Sequence, residues 1–153
     1  MQKEIKVLIY GLGNPGRGDD GLGPRLIARL QKEGAAAADL EIRYQLNIEE
    51  ALKIKDYDIV VFVDASKEID SPWKFREIGP SETIAFTTHK MSPESVLALA
   101  QELYGRTPKA FALAIKGYEW DMGESLSEEA EKNLSQALEF LTDFLKSPRI
   151  DLK

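Results

Sequence analysis

Residues 6–30 read KVLIYGLGNPGRGDDGLGPRLIARL, and the fold is decided by how they are read. Residues 6–10 are a short apolar run closed by a glycine, which fits a strand buried on both faces of a parallel sheet better than a strand with one wet face. From Gly11 to Gly23 the composition changes to glycine, proline, asparagine and the adjacent acids Asp19 and Asp20. Such a loop lets backbone approach a ligand closely and adopt positive φ. Pro24 suits the first turn of a helix, for which Leu22, Leu26, Ile27 and Leu30 supply one apolar face. Strand, loop and helix thus follow one another, and in open α/β sheets the carboxyl end of such a strand is where ligands bind.

Outward from this stretch the chain alternates strand and helix. Residues 40–46 (LEIRYQL) read as a second strand, and Asn47 with Glu50 resembles a capping box opening a short helix over residues 48–54. Residues 57–63 (YDIVVFV) are the strongest strand signal and end at Asp64. Residues 73–78 and 82–86 flank the Gly79-Pro80 turn and predict a peripheral hairpin or edge. Ser92-Pro93-Glu94 is a helix start leading into residues 96–104, and 109–115 (KAFALAI) is another buried strand. A last helix over about 127–146 carries Ala130, Leu134, Ala137, Leu138, Leu141 and Leu145 on one stripe. This alternation predicts an α/β fold, a mostly parallel or mixed sheet covered on both faces by helices.

With 153 residues, 43% hydrophobic and 30% charged, the chain is long enough for a real core and short for two ordinary domains, so one domain over 1–153 is expected. Cysteine is absent, which excludes disulfides, thiolate metal sites and a cysteine nucleophile. The opening MQKEIKVLIY has too short an apolar run for a signal peptide, and no stretch approaches the roughly 20 apolar residues of a membrane span. A cytoplasmic chain without a membrane partner is expected. The formal net charge of -6 argues against nucleic acid, whose binding rests on clustered Lys and Arg.

Asp20, Asp64 and His89 each fall at the end of a predicted strand or in the loop after it. The carboxyl ends of parallel strands lie side by side, so the three are candidates for one site. Two carboxylates and one imidazole suit a divalent ion with open coordination positions, and imidazole suits nickel or zinc. Taken singly, each has a plainer role: Asp19 or Asp20 capping the helix near Gly23, Asp64 ending a strand, His89 as an ordinary loop histidine. Their joint placement favours a site, with Asp19 at the helix start or supporting Asp20. Residues 11–16 also match G-x-G-x-x-G, but Asp19 and Asp20 intervene before the helix and the second strand ends without an acid, so dinucleotide binding is rejected. Walker and G-x-S-x-G motifs are absent from the sequence.

The runs GLGNPGRGDDGLGPRL (11–26), IVVFVDAS (59–66), FTTHKMSPESVL (86–97) and GESLS (123–127) resemble the hydrogenase maturation endopeptidases, over nearly the whole chain. The order of G-x-G-N, D-D-G-x-G after four residues, the strand-ending aspartate and T-T-H is specific. The resemblance implies a three-layer α/β/α sandwich around a five-stranded sheet, and metal-contacting positions at Asp20, Asp64 and His89. It implies removal of a C-terminal extension from a nickel-iron hydrogenase large-subunit precursor after nickel insertion. The nickel then belongs to the substrate, no cofactor is tightly bound, and other divalent ions can occupy the site. Whether the ion polarises the scissile carbonyl or serves only recognition, with one carboxylate as base toward water, stays open. Gln45-Leu46-Asn47, where many members have Asp-Gly-Gly, and residues 118–122 depart from the family's spelling and bear on partner choice.

GLGNPG after an N-terminal strand also resembles the start of peptidyl-tRNA hydrolases, but Arg17-Gly18-Asp19-Asp20 stands where that family continues differently, and the acidic balance opposes tRNA. A non-catalytic, metal-dependent binding module for the large subunit is the remaining alternative. A peptidase acting on a folded protein needs a docking surface, for which Trp73, Phe75, Met91, Tyr118 and Trp120 are candidates beside predicted loops.

Overall fold

The opening apolar run forms β1 (Val7–Leu12), buried at every position because strands lie on both sides of it and helices on both faces. A computed structural model describes residues 4–34, 38–84, 86–87 and 90–148. After β1 come α1 (Leu22–Glu33), β2 (Asp39–Arg43), α2 (Glu49–Ile54), β3 (Ile59–Ser66), β4 (Trp73–Ile78), β5 (Phe86–Thr87), β6 (Lys90–Met91), α3 (Pro93–Tyr104), β7 (Lys109–Lys116) and α4 (Glu128–Lys146). Five strands make one sheet in the order β2-β1-β3-β7-β4. All neighbours are parallel except β4, which runs antiparallel to β7 at the edge.

Side-chain alternation divides this sheet between two cores. Val7 and Ile9, with Ile59, Val61 and Val63, meet α1 and α4, whose Leu26, Ile27, Leu134 and Leu141 are fully buried. Leu8 and Tyr10, with Val60 and Phe62, meet Ile54 of α2 and Val96 and Leu97 of α3 on the other face. The result is the three-layer α/β/α arrangement with a mostly parallel five-stranded sheet. Each buried leucine or isoleucine contributes on the order of 2 kcal/mol, so the two cores dominate stability. No helix among the described residues is long and apolar enough to cross a membrane.

Four boundaries differ from the sequence reading. β2 stops at Arg43, whose carbonyl accepts the Gly13 N–H at 3.1 Å; β1 ends there, and Leu46 bridges to Met91 instead. β3 runs past Val63 because β7 continues beside it, pairing Asp64 with Ala114 and Ser66 with Lys116. Residues 73–78 do form an edge strand, antiparallel to β7, whereas 79–84 form no strand and the next pairing is the short antiparallel β5–β6. The Ser81 N–H is donated to Glu94 O at 3.1 Å, which turns the chain toward α3. The capping box is also not formed: Asn47 Oδ1 accepts from Glu49 N at 3.1 Å, while Glu50 turns inward, where it accepts from the Tyr10 hydroxyl at 2.8 Å and from Arg43 Nε at 3.1 Å. Burying Tyr10 and Arg43 donors beside β1 gives a carboxylate more than a helix start does.

Candidate functional site

β1 and β3 are adjacent, yet the chain leaves them toward opposite faces: β1 leads into α1 on one side, and the path from β3 reaches β7 through α3 on the other. A crevice opens at their carboxyl ends, as it does wherever strand order reverses in an open sheet. Here it is a cleft of about 840 Å³ walled by Leu12, Gly13 and Asp20 after β1, Asp64 on β3, Leu46 and Met91 opposite, and Trp120 at one side.

Asp20 is held there by the glycine-rich loop. Its Oδ2 accepts the Asn14 N–H at 2.8 Å, and Asn14 Oδ1 accepts from Gly16 N at 2.8 Å, so the asparagine folds the loop back on itself. Gly13 has φ +128, and a Cβ there would overlap the Asp20 carbonyl oxygen, so only glycine lets the strand end and the acid lie this close. The packing of α1 needs the same allowance: a Cβ on Gly23 would stand 2.5 Å from Leu12 O and 2.6 Å from Val63 O. Asn14's part was not anticipated, although asparagine two residues before glycine signals an Asx turn.

Asp19 and Asp20 are adjacent in a 3₁₀ turn (Gly18–Gly21), and the turn sends them in opposite directions. Asp19 is fully buried and caps no helix of its own. Its carboxylate accepts from the backbone N–H groups of Tyr118 (2.7 Å), Glu119 (2.9 Å) and Ser127 (2.8 Å) and from the Ser127 hydroxyl (2.7 Å). Burial pushes its pKa up, but the hydrogen bonds from Glu119, Ser127 and Tyr118 outweigh burial and hold it below the ordinary aspartate value. Asp19 thus fastens the 117–127 loop, which carries Trp120, behind the turn that presents Asp20. Ser127 in turn caps α4 by accepting from Ala130 N at 3.2 Å.

Asp64 shares the side-chain parity of Val60 and Phe62, and so faces the α2–α3 side of the sheet. Just beyond the last β1–β3 pair, Gly11 with Val63, it projects into the space that β1 vacates. The Ala65 N–H donates to its Oδ1 at 2.9 Å. The structure therefore brings Asp20 and Asp64 to one cleft, while His89 lies outside the described residues. Among the described residues no group of three His, Cys, Asp or Glu side chains is gathered as a metal site.

Of the aromatic and methionine positions singled out for docking, Met91 is buried at 2% exposure. Trp73 and Phe75 pack onto Phe140, and Phe75 stacks on Phe111 at 4.8 Å; they belong to the α4 core because β4 is an edge strand covered by α4. Tyr118 is exposed, with its hydroxyl taking a 3.2 Å bond from Asn133 Nδ2. Trp120 lines the cleft with Lys67 Nζ 5.0 Å above its ring. Tyr44, at 70% exposure, and Arg17 also line the cleft and were not anticipated.

No family model matches the chain, and no curated protein matches it in sequence. Solved structures do match in three dimensions. The [NiFe] hydrogenase maturation protease HycI from Thermococcus kodakarensis KOD1 superposes with a TM-score of 0.72 at 23% identity, covering 93% of each chain. The hydrogenase maturating endopeptidase HybD from E. coli gives 0.72 at 19% identity, covering 94% of each. The hydrogenase 2 maturation peptidase from a Thaumarchaeota archaeon gives 0.69 at 23%, covering 92% of this chain and 98% of that one. The chain has the fold of the hydrogenase maturation endopeptidases.

Proposed function

We propose that this chain is an endopeptidase that removes the C-terminal extension of a nickel-loaded nickel-iron hydrogenase large-subunit precursor. The observation that carries the reading is the pair Asp20 and Asp64 on one cleft at the β1–β3 crevice, on a backbone shared with proteins named as hydrogenase maturation proteases. Asp20, Asp64 and His89 are the side chains offered to the substrate's nickel. Two carboxylates and an imidazole leave coordination positions for ligands the precursor supplies, so the ion bridges enzyme and substrate and positions the scissile peptide. One carboxylate is then close enough to the peptide to take a proton from water as a general base.

The nickel enters with the substrate. An open, cysteine-free ligand set holds a free ion less firmly than a closed structural site, which makes the loaded precursor the form recognised. The test incubates the purified chain with nickel-free and nickel-loaded precursor and follows loss of the extension by mass. Cleavage of the loaded form alone is expected. Equal cleavage of both forms removes the nickel dependence, an unchanged precursor mass favours a binding module, and release of peptide from peptidyl-tRNA overturns the reading.

A further inference from the structure

Most described arginines are neutralised within the fold. Arg29 pairs with Glu131, Arg43 with Glu41 and Glu50, Arg76 with Glu94 and Arg106 with Asp58. Arg25 lies along α1 with its Nε buried against the loop. Arg17 differs from all of these. It is exposed, it lines the cleft that holds Asp20 and Asp64, and its side chain makes no hydrogen bond or ion pair with any described residue.

The guanidinium is uncommitted, but its backbone is fixed. Arg17 N donates to Asn14 O at 3.1 Å, and Arg17 O accepts from Asp20 N at 3.1 Å. The flanking Gly18 N–H and Gly16 carbonyl bond Gly123 at 2.8 and 2.9 Å. Arg17 is therefore anchored relative to Asp20 by the same turn that presents the acid. Lys67, the other cation of the cleft, sits on the chain after β3 with its ammonium over the Trp120 ring.

We propose that Arg17 is the catalytic residue that binds the scissile carbonyl oxygen as it becomes negative, and then the carboxylate of the product. The inference rests on the peptidase reading above. In peptide hydrolysis water adds to the carbonyl carbon, a C–O bond forms and the π pair moves onto the carbonyl oxygen. The C–N bond then breaks, and the leaving nitrogen takes a proton that came from the water. The charge on oxygen thus develops in a cleft whose two carboxylates are engaged with the substrate's nickel, and Arg17 is the cation on the same wall with no other commitment among the described residues. Arg17 gives up no proton, because a guanidinium stays charged. Its planar fork accepts first one oxygen and then the two of a carboxylate.

The test compares single-turnover cleavage of nickel-loaded precursor by the wild-type chain, Arg17→Gln, Arg17→Lys and Lys67→Gln. Removing an oxyanion donor lowers the rate at saturation by about 10²-fold or more, so that loss is expected for Arg17→Gln. Arg17→Lys keeps the charge without the fork and is expected to recover about a tenth of the wild-type rate. Half-saturating precursor stays within about 3-fold of wild type if Arg17 acts in the transition state. Lys67→Gln, whose ammonium is held over the Trp120 ring, is expected to lose less of the rate than Arg17→Gln. A wild-type rate for Arg17→Gln, with or without weaker binding, overturns the inference and leaves the peptidase reading standing; so does a slow Lys67→Gln beside a fast Arg17→Gln. If the wild-type chain leaves the loaded precursor intact, both fall together.

Discussion

Replacing Asp19 by asparagine changes one oxygen to an NH₂ group inside a ring of donors. Oδ2 accepts from Tyr118 N, Glu119 N and the Ser127 hydroxyl, and Oδ1 accepts from Ser127 N. The less costly way to place the amide keeps its oxygen at the Oδ2 position and turns its NH₂ toward Ser127 N. One buried backbone N–H then loses its acceptor, at about 1–3 kcal/mol, and three surviving bonds lose their charge-assisted share, at roughly 0.5–1 kcal/mol each. The sum is about 2.5–6 kcal/mol, which for a chain of this size lowers Tm by roughly 10–15 °C. Urea unfolding at pH 7 measures it directly. The pH dependence gives an independent check of sign. The folded Asp19 pKa lies below the unfolded value of about 3.9, so its stabilisation is complete above that value and is lost as pH falls through the folded one. The gap between wild type and Asp19→Asn should therefore be constant from pH 7 to about 5 and narrow below about 4. A gap under about 1 kcal/mol at pH 7, or one that acid leaves untouched, would refute the reasoning.

Gly23→Ala should cost roughly 3 kcal/mol or prevent folding, since its Cβ meets two carbonyl oxygens of the central strands rather than yielding side chains; thermal unfolding of the variant decides it. Tyr10→Phe removes the 2.8 Å donor to buried Glu50 and should cost about 1–3 kcal/mol in urea unfolding. Burial, reinforced by Glu50, pushes the Tyr10 phenol far up, so the folded chain loses stability above about pH 10 and this alkaline loss should be smaller in Tyr10→Phe. Asp20→Asn keeps an oxygen for the Asn14 N–H and should shift Tm by only a few degrees while abolishing precursor cleavage in the mass assay; a variant that cleaves normally removes Asp20 from the site.

The sequence by itself determined the fold class, because hydrophobic periodicity reports which faces are buried. Val7 to Tyr10 are apolar at every step and so had to lie between two helical layers, and Ser92-Pro93 marked a helix start by chemistry local to it. It also placed Asp20 and Asp64 at one edge, since strand ends in a parallel sheet are neighbours whatever the loops do. Which of two adjacent acids faces the cleft was not a local matter. Asp19 is drawn inward by donors about a hundred residues later in the chain, at Tyr118, Glu119 and Ser127, and only their arrival on the far side of the turn separates its role from that of Asp20. Glu50 was misassigned for the same reason: a glutamate three residues after asparagine reads as a capping box, and the Tyr10 hydroxyl and Arg43 that claim it instead come from strands β1 and β2. Met91, Trp73 and Phe75 likewise looked available because they sit beside loops, and whether a large apolar side chain meets solvent or Leu46 and Phe140 depends on what the rest of the chain brings over it. Periodicity and caps act within a few residues and are legible in one dimension, whereas hydrogen-bond partners and coverage are properties of contacts between distant segments and exist only once the chain has folded.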